Sequence, residues 1–196
     1  MKQILFIFAL LLGMVSCSDD NDPIAPIVNP SPKEQWGQTL VGSDGTIFAY
    51  PDLYVNYWEY TWSIDEHPDI ALRIHGAFPK ARFFSFSLYD DEKGEAIGGF
   101  ADNEIVPDAG SVNPFVVTSS DQGSFTVYVV PSSTDESQIA RLGAANVCKI
   151  KEGVKRGTLI IREYLGVDEY GGVELPAIEA VNIHTMEEVA APIRMN

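Results

Sequence analysis

The chain has 196 residues, with 28 Asp+Glu against 13 Lys+Arg, a formal charge of −15, 45% hydrophobic residues and 11% aromatics. That is enough apolar material for a packed core, so the chain is not a disordered acidic tail, and its length suits one domain with a short extension. The acidic balance disfavours nucleic acid and anionic lipid surfaces as partners, because both need a basic footprint that displaces counterions, and a DNA-binding role is set aside.

At the N-terminus, Lys2 precedes an apolar run of twelve residues, Ile4 to Val15. The run falls short of the roughly 20 apolar residues that span a bilayer, and reads as an export signal over residues 1–16. The sequence Met14-Val15-Ser16-Cys17 resembles a bacterial lipobox, which makes Cys17 the expected lipidation site and new N-terminus. Asp19, Asp20 and Asp22 then form an acidic run similar to the export tag of lipoproteins displayed on the outer surface of the outer membrane. Pro23, Pro26, Pro30 and Pro32 follow without periodicity, so residues 17–35 are expected to be a lipidated tether and residues 36–196 the folded domain. With Cys17 acylated, Cys148 has no partner and is expected to be a small buried hydrophobe.

Alternating segments rich in β-branched and aromatic residues predict strands near 46–50, 53–63, 70–75, 82–89, 124–130, 157–164 and 178–184. In the fourth, Phe84, Phe86 and Leu88 share one side and Ser85 and Ser87 the other; in the fifth, Phe125, Val127 and Val129 oppose Ser124, Thr126 and Tyr128. One wet face and one dry face per strand is the pattern of a sandwich. Asp90 to Gly94 predicts a hairpin, Ala101 to Pro114 a long loop, and Ser133 with Glu136 a capping box that opens a helix through Ile139 and Leu142. The expected architecture is all-β, an antiparallel sandwich of jelly-roll type with one short helix.

Four segments in order, 82–90 (Arg-Phe-Phe-Ser-Phe-Ser-Leu-Tyr-Asp), 123–129 (Gly-Ser-Phe-Thr-Val-Tyr-Val), 157–164 (Gly-Thr-Leu-Ile-Ile-Arg-Glu-Tyr) and 171–179 (Gly-Gly-Val-Glu-Leu-Pro-Ala-Ile-Glu), form a pattern over roughly residues 80 to 181. This pattern resembles the C-terminal domain of a widespread bacterial family of unknown function, DUF twelve-fourteen. The resemblance implies a jelly-roll-like sandwich and brings no agreed activity. Phe84 and Val173 stand where that family often has Trp, and Glu163 interrupts the apolar alternation of its strand.

Two groups of residues point to ligand chemistry. Trp58, Tyr60 and Trp62, with Tyr54 and Asn56, lie on one side of a strand; exposed, they form a platform for sugar rings, and buried, they are core. Arg73 and His75 share one face of another strand, and Arg162 is the other basic residue inside a strand. Two guanidiniums and an imidazole in one pocket would suit a carboxylate, as in an acidic sugar; the competing reading is surface pairing with the abundant acids.

Metal chemistry has little support: His67, Asp69 and His75 lack a zinc spacing, while Asp102, Asn103, Glu104 and Asp108, or Asp90, Asp91 and Glu92, lack an ordered calcium loop. No nucleophile elbow, reactive cysteine arrangement or phosphate loop occurs, so no catalytic residue and no cofactor is assigned. The expected function is a lipid-anchored binding module of the cell envelope for a carbohydrate or other small polar ligand. The alternatives are an envelope or polysaccharide hydrolase built on His75, Arg73 and a carboxylate, and a structural component of a surface complex.

Overall fold

The structure, a computed structural model, describes residues 26–41, 54–118 and 123–196. Ten strands form two five-stranded sheets: a front sheet ordered β1-β2-β8-β4-β5 and a back sheet ordered β10-β9-β3-β6-β7. The strands are β1 (Gly37–Val41), β2 (Val55–Ser63), β3 (Ile70–Ala77), β4 (Phe83–Asp90), β5 (Glu95–Ala101), β6 (Ser124–Val130), β7 (Asn146–Lys149), β8 (Arg156–Tyr164), β9 (Ala177–Asn182) and β10 (Glu188–Val189). The chain passes from front to back to front through β2, β3 and β4, and β8 later inserts between β2 and β4 while β9 settles beside β3. This interleaving is the wrapped topology of a jelly-roll-type sandwich. Two departures are the β4–β5 hairpin, which stays within one sheet, and the β6–β7 pair, which is parallel.

Strand parity builds the core. Phe84, Phe86 and Leu88 of β4 point inward with Leu159 and Ile161 of β8, and all five are buried, as are Phe125, Val127 and Val129 of β6. The Phe125 ring lies 5.7 Å from that of Phe84 and 5.5 Å from that of Phe86, locking the sheets face to face. Each such side chain withdrawn from water contributes about 1.5–3 kcal/mol.

The hairpin at Asp90–Gly94 forms as its sequence predicts: Gly94 takes a φ of 66° and its N–H donates to the Asp90 carbonyl at 2.8 Å. The second helix, α2 (Glu136–Leu142), starts at a cap two residues later than expected from Ser133. Asp135 accepts from the Gln138 N–H at 2.9 Å, and the Gln138 side chain returns the bond to the Asp135 N–H at 2.8 Å. An acidic cap and an amide at the third helical position satisfy the same orphan donors as the expected Ser/Glu pair. A single turn, α1 (Pro32–Gln35), lies inside the expected tether. Its Gln35 is buried and exchanges two hydrogen bonds with the main chain of Ile178, so packing on the domain begins before Trp36. The expected strand at 46–50, Cys17 and the acidic run lie outside the described residues. Among those described, no helix is long and apolar enough to cross a membrane.

Candidate functional site

The aromatic strip of β2 is core. Trp58, Tyr60 and Trp62 retain 2%, 1% and 2% of their surface, so they offer no platform to a sugar. The Tyr60 and Trp62 rings stack at 5.7 Å, the Tyr60 hydroxyl donates to the Pro192 carbonyl, and Trp58 is covered by the stacked ring of Tyr170 at 5.7 Å. Large apolar rings at period two sit where burial yields most, on the inner face of a sheet closed by a second sheet.

Arg73, His75 and Arg162 do not share a pocket. Arg73 and His75 point outward from the back sheet, where β3–β9 register sets Arg73 directly opposite Glu179. The Arg73 Nε donates to the Glu179 carboxylate at 2.7 Å, and His75 Nε2 lies 3.3 Å from the same oxygen. Burial opposes ionisation of Glu179, but the hydrogen bond and charge of Arg73, with His75 adding to them, hold its carboxyl below the ordinary range. A half-exposed, mutually neutralised trio of this kind contributes about 0–1 kcal/mol. Several of the residues considered for metals are likewise engaged. Asp69 pairs with His184 at 3.0 Å; Asp102, Glu104 and Asp108 accept from Phe84 N–H, Ala101 N–H and the Ser124 hydroxyl. Among the described residues no three His, Cys, Asp or Glu side chains converge as a metal site. Cys148 is buried, and burial pushes its thiol up to about 11, which leaves it unreactive.

Arg162 points from the outer face of the front sheet, and a different group assembles around it. Register places Tyr57 of β2 and Ser85 of β4 beside Arg162, and sets Val55 and Phe83 beside Tyr164. Past the strand ends, Leu165 N–H donates to the Tyr54 carbonyl at 2.9 Å and Arg82 N–H donates to the Tyr164 carbonyl at 2.9 Å. These two bonds clamp the entry of β2, the exit of β8 and the entry of β4 into one corner. Leu165 turns the chain there in the left-handed region, with a φ of 50°.

The corner is an open concavity of about 640 Å³ lined by Tyr54, Arg82, Phe83, Arg162, Tyr164 and Leu165. Phe83 and Tyr164 meet edge to face at 5.9 Å, and the Arg162 guanidinium lies 5.3 Å from the centre of the Tyr57 ring. Tyr54 is 66% exposed at the rim. Neither Arg82 nor Arg162 meets a carboxylate among the described residues, whereas Arg73, Lys93 and Arg156 each hold one. Arg162 Nε is shielded from solvent and has no hydrogen-bond partner.

Directly behind this face is Glu163, the residue that interrupts the apolar alternation of β8. Parity sends its side chain inward with Leu159 and Ile161, and it is buried with Oε1 lacking any hydrogen-bond partner. Burial pushes the carboxyl up to about 7, and the charge of Asp168 adds to the rise. The loop after β8 is shaped around it: a methyl added at Gly166 would lie 1.9 Å from Oε1, and one at Gly171 would lie 2.8 Å away. Asp168 is held low by N–H donors from Gly172 and Tyr170. Sequence reasoning did not assign Glu163 a site role, although a carboxylate at an inward position of an otherwise apolar strand was its visible signal.

No protein-family model and no curated protein matches this chain. Among solved structures, it is similar to an uncharacterised protein from Burkholderia cenocepacia, with a TM-score of 0.50 and 18% identity over 76% of this chain and 35% of the other. A protein from Vibrio parahaemolyticus is similar at a TM-score of 0.46 and 14% identity, over 68% of this chain and 32% of the other. The chain thus spans about a third of the length of these structures, and the first of them carries the likeness of fold alone.

Proposed function

We propose that this chain is a lipid-anchored binding module of the cell envelope whose carbohydrate ligand rests on the outer corner of the front sheet. One observation carries the reading: Tyr54, Phe83 and Tyr164 line the same concavity as two guanidiniums with no carboxylate partner among the described residues. Aromatic faces stack on the C–H faces of sugars, and a volume of a few hundred Å³ suits a small ligand. Arg162, which the strand pattern marks out, belongs to this site; Arg73, His75, Trp58, Tyr60 and Trp62 do not. The lipobox-like Cys17 and the acidic run after it support attachment to the outer membrane.

Two measurements test the reading. Incorporation of a fatty-acid label, lost in Cys17→Ser, tests the anchor. Thermal stabilisation by a saccharide panel, absent in Tyr164→Ala, tests the site, since a ligand at 100 times its dissociation constant adds about 2.7 kcal/mol. A second reading, a component of a surface assembly, draws on Val106, Val112, Val116 and Val117, which are 36% to 61% exposed in one segment. It would be preferred if no saccharide stabilises the protein and a valine-to-serine set abolishes co-purification of a partner.

A further inference from the structure

We propose that the ligand of this corner is an acidic saccharide, whose carboxylate is held by Arg82 and Arg162 while its ring lies against Tyr54, Phe83 and Tyr164. This rests on the reading of the corner as a carbohydrate site. Acids outnumber bases by 28 to 13, so an arginine on this surface has many carboxylates available to it. Arg73 and Arg156 find theirs, at Glu179 and Asp91. Arg82 and Arg162 line one concavity with none in reach among the described residues. Placing two like charges together in a protein of net −15, with no carboxylate on either among the described residues, makes a local positive site that an anion would complete.

Geometry narrows the anion. The Arg162 guanidinium lies over the Tyr57 ring at 5.3 Å, a contact that reduces the ordering a partner must impose. A planar carboxylate fits the open edge of a guanidinium with two parallel bonds. The rings beside it call for a flat apolar face on the same molecule, which a uronic acid unit supplies and inorganic phosphate does not. Acids more than a Debye length away, about 8 Å at physiological ionic strength, are screened, whereas contact with the arginines is not.

The test uses the full-length protein, expressed with its own leader and purified in detergent, with calorimetric titration against trigalacturonate, hyaluronan tetrasaccharide and sialyllactose. Each is paired with its methyl-esterified form, which keeps the rings and removes the charge. At least one acid is expected to bind about tenfold or more tighter than its ester, as loss of a charge-assisted hydrogen bond implies. Arg82→Gln is expected to remove that preference without changing the melting temperature, and Arg162→Gln gives an independent check should either variant fold poorly. Equal binding of acid and ester would overturn the inference and leave the carbohydrate reading standing. A preference for acid that survives both substitutions would also overturn it, by placing the charge recognition elsewhere. Absence of binding by every saccharide, charged or neutral, would remove both.

Discussion

The front sheet carries aromatic residues on both faces, and the two sets do opposite work. On the inner face, Trp58, Tyr60 and Trp62 are buried within a core that includes Phe86 and Leu159. On the outer face, Phe83 of β4 and Tyr164 of β8 share a corner with two arginines and with Tyr54, which lies just before β2 and escapes the inward parity of Trp58. The inner set is contiguous along one strand and therefore conspicuous in the sequence; the outer set is assembled only by register. Aromatic content thus says how much surface a strand must hide or offer, while strand parity and cross-strand neighbours decide which.

The contrast makes graded predictions. The largest effect belongs to the inner set: Trp58→Ala or Trp62→Ala is expected to cost about 3–5 kcal/mol, seen as a lower midpoint in urea unfolding. A loss under about 0.5 kcal/mol, the scale of a surface change, would contradict their place in the core.

Next comes the buried acid between the faces. In the unfolded chain Glu163 ionises near about pH 4.3, whereas in the folded protein it holds its proton up to about 7. Between those values the folded state binds more protons than the unfolded one, so this group makes stability fall as pH rises. The fall amounts to about 3–4 kcal/mol once pH exceeds the folded value. Carboxylates held low, such as Asp168 and Glu179, act in the opposite sense and lose their contribution as pH drops. Glu163→Gln is therefore expected to gain on the parent protein as pH rises from 5 to about 8, followed by melting temperature. A difference that stays flat with pH would contradict the raised carboxyl.

Gly166→Ala probes the same packing sterically, because the new methyl would press on Glu163 Oε1. A loss of about 1–3 kcal/mol is expected, and Glu163→Ala in the same chain should recover part of it, a coupling that a double-mutant cycle measures. The smallest stability effect belongs to the outer set. Arg82→Gln and Tyr54→Ala, at exposed positions, are expected to change unfolding by less than about 0.5 kcal/mol, while the first removes the preference for acid over ester and the second weakens ligand-induced stabilisation.

Legibility in the sequence followed the same division. The strands with strong alternation, β2, β3, β4, β6, β8 and β9, were visible because half of each must face a core. Strand β5 was not, because Gly98 and Gly99 dilute its alternation, and β7 and β10 are four and two residues long. Arg162 stood out as a cation within a strand. Arg82 and Phe83 beside Tyr164, and Tyr54 across from Leu165, depend on pairings more than 80 residues apart in sequence, which no local pattern encodes. The separate outer faces of Arg73 and Arg162 had the same cause: their strands belong to different sheets.

That the outer corner meets ligand and the inner strip does not can be read by hydroxyl-radical footprinting and mass spectrometry, with and without the acidic saccharide that binds tightest in calorimetry. The account predicts that Tyr54, Phe83 and Tyr164 lose reactivity when the saccharide is present, while Trp58, Tyr60 and Trp62 are unreactive in both conditions. Ligand-dependent protection at Trp58 or Trp62, with Tyr54 and Tyr164 unchanged, would contradict it.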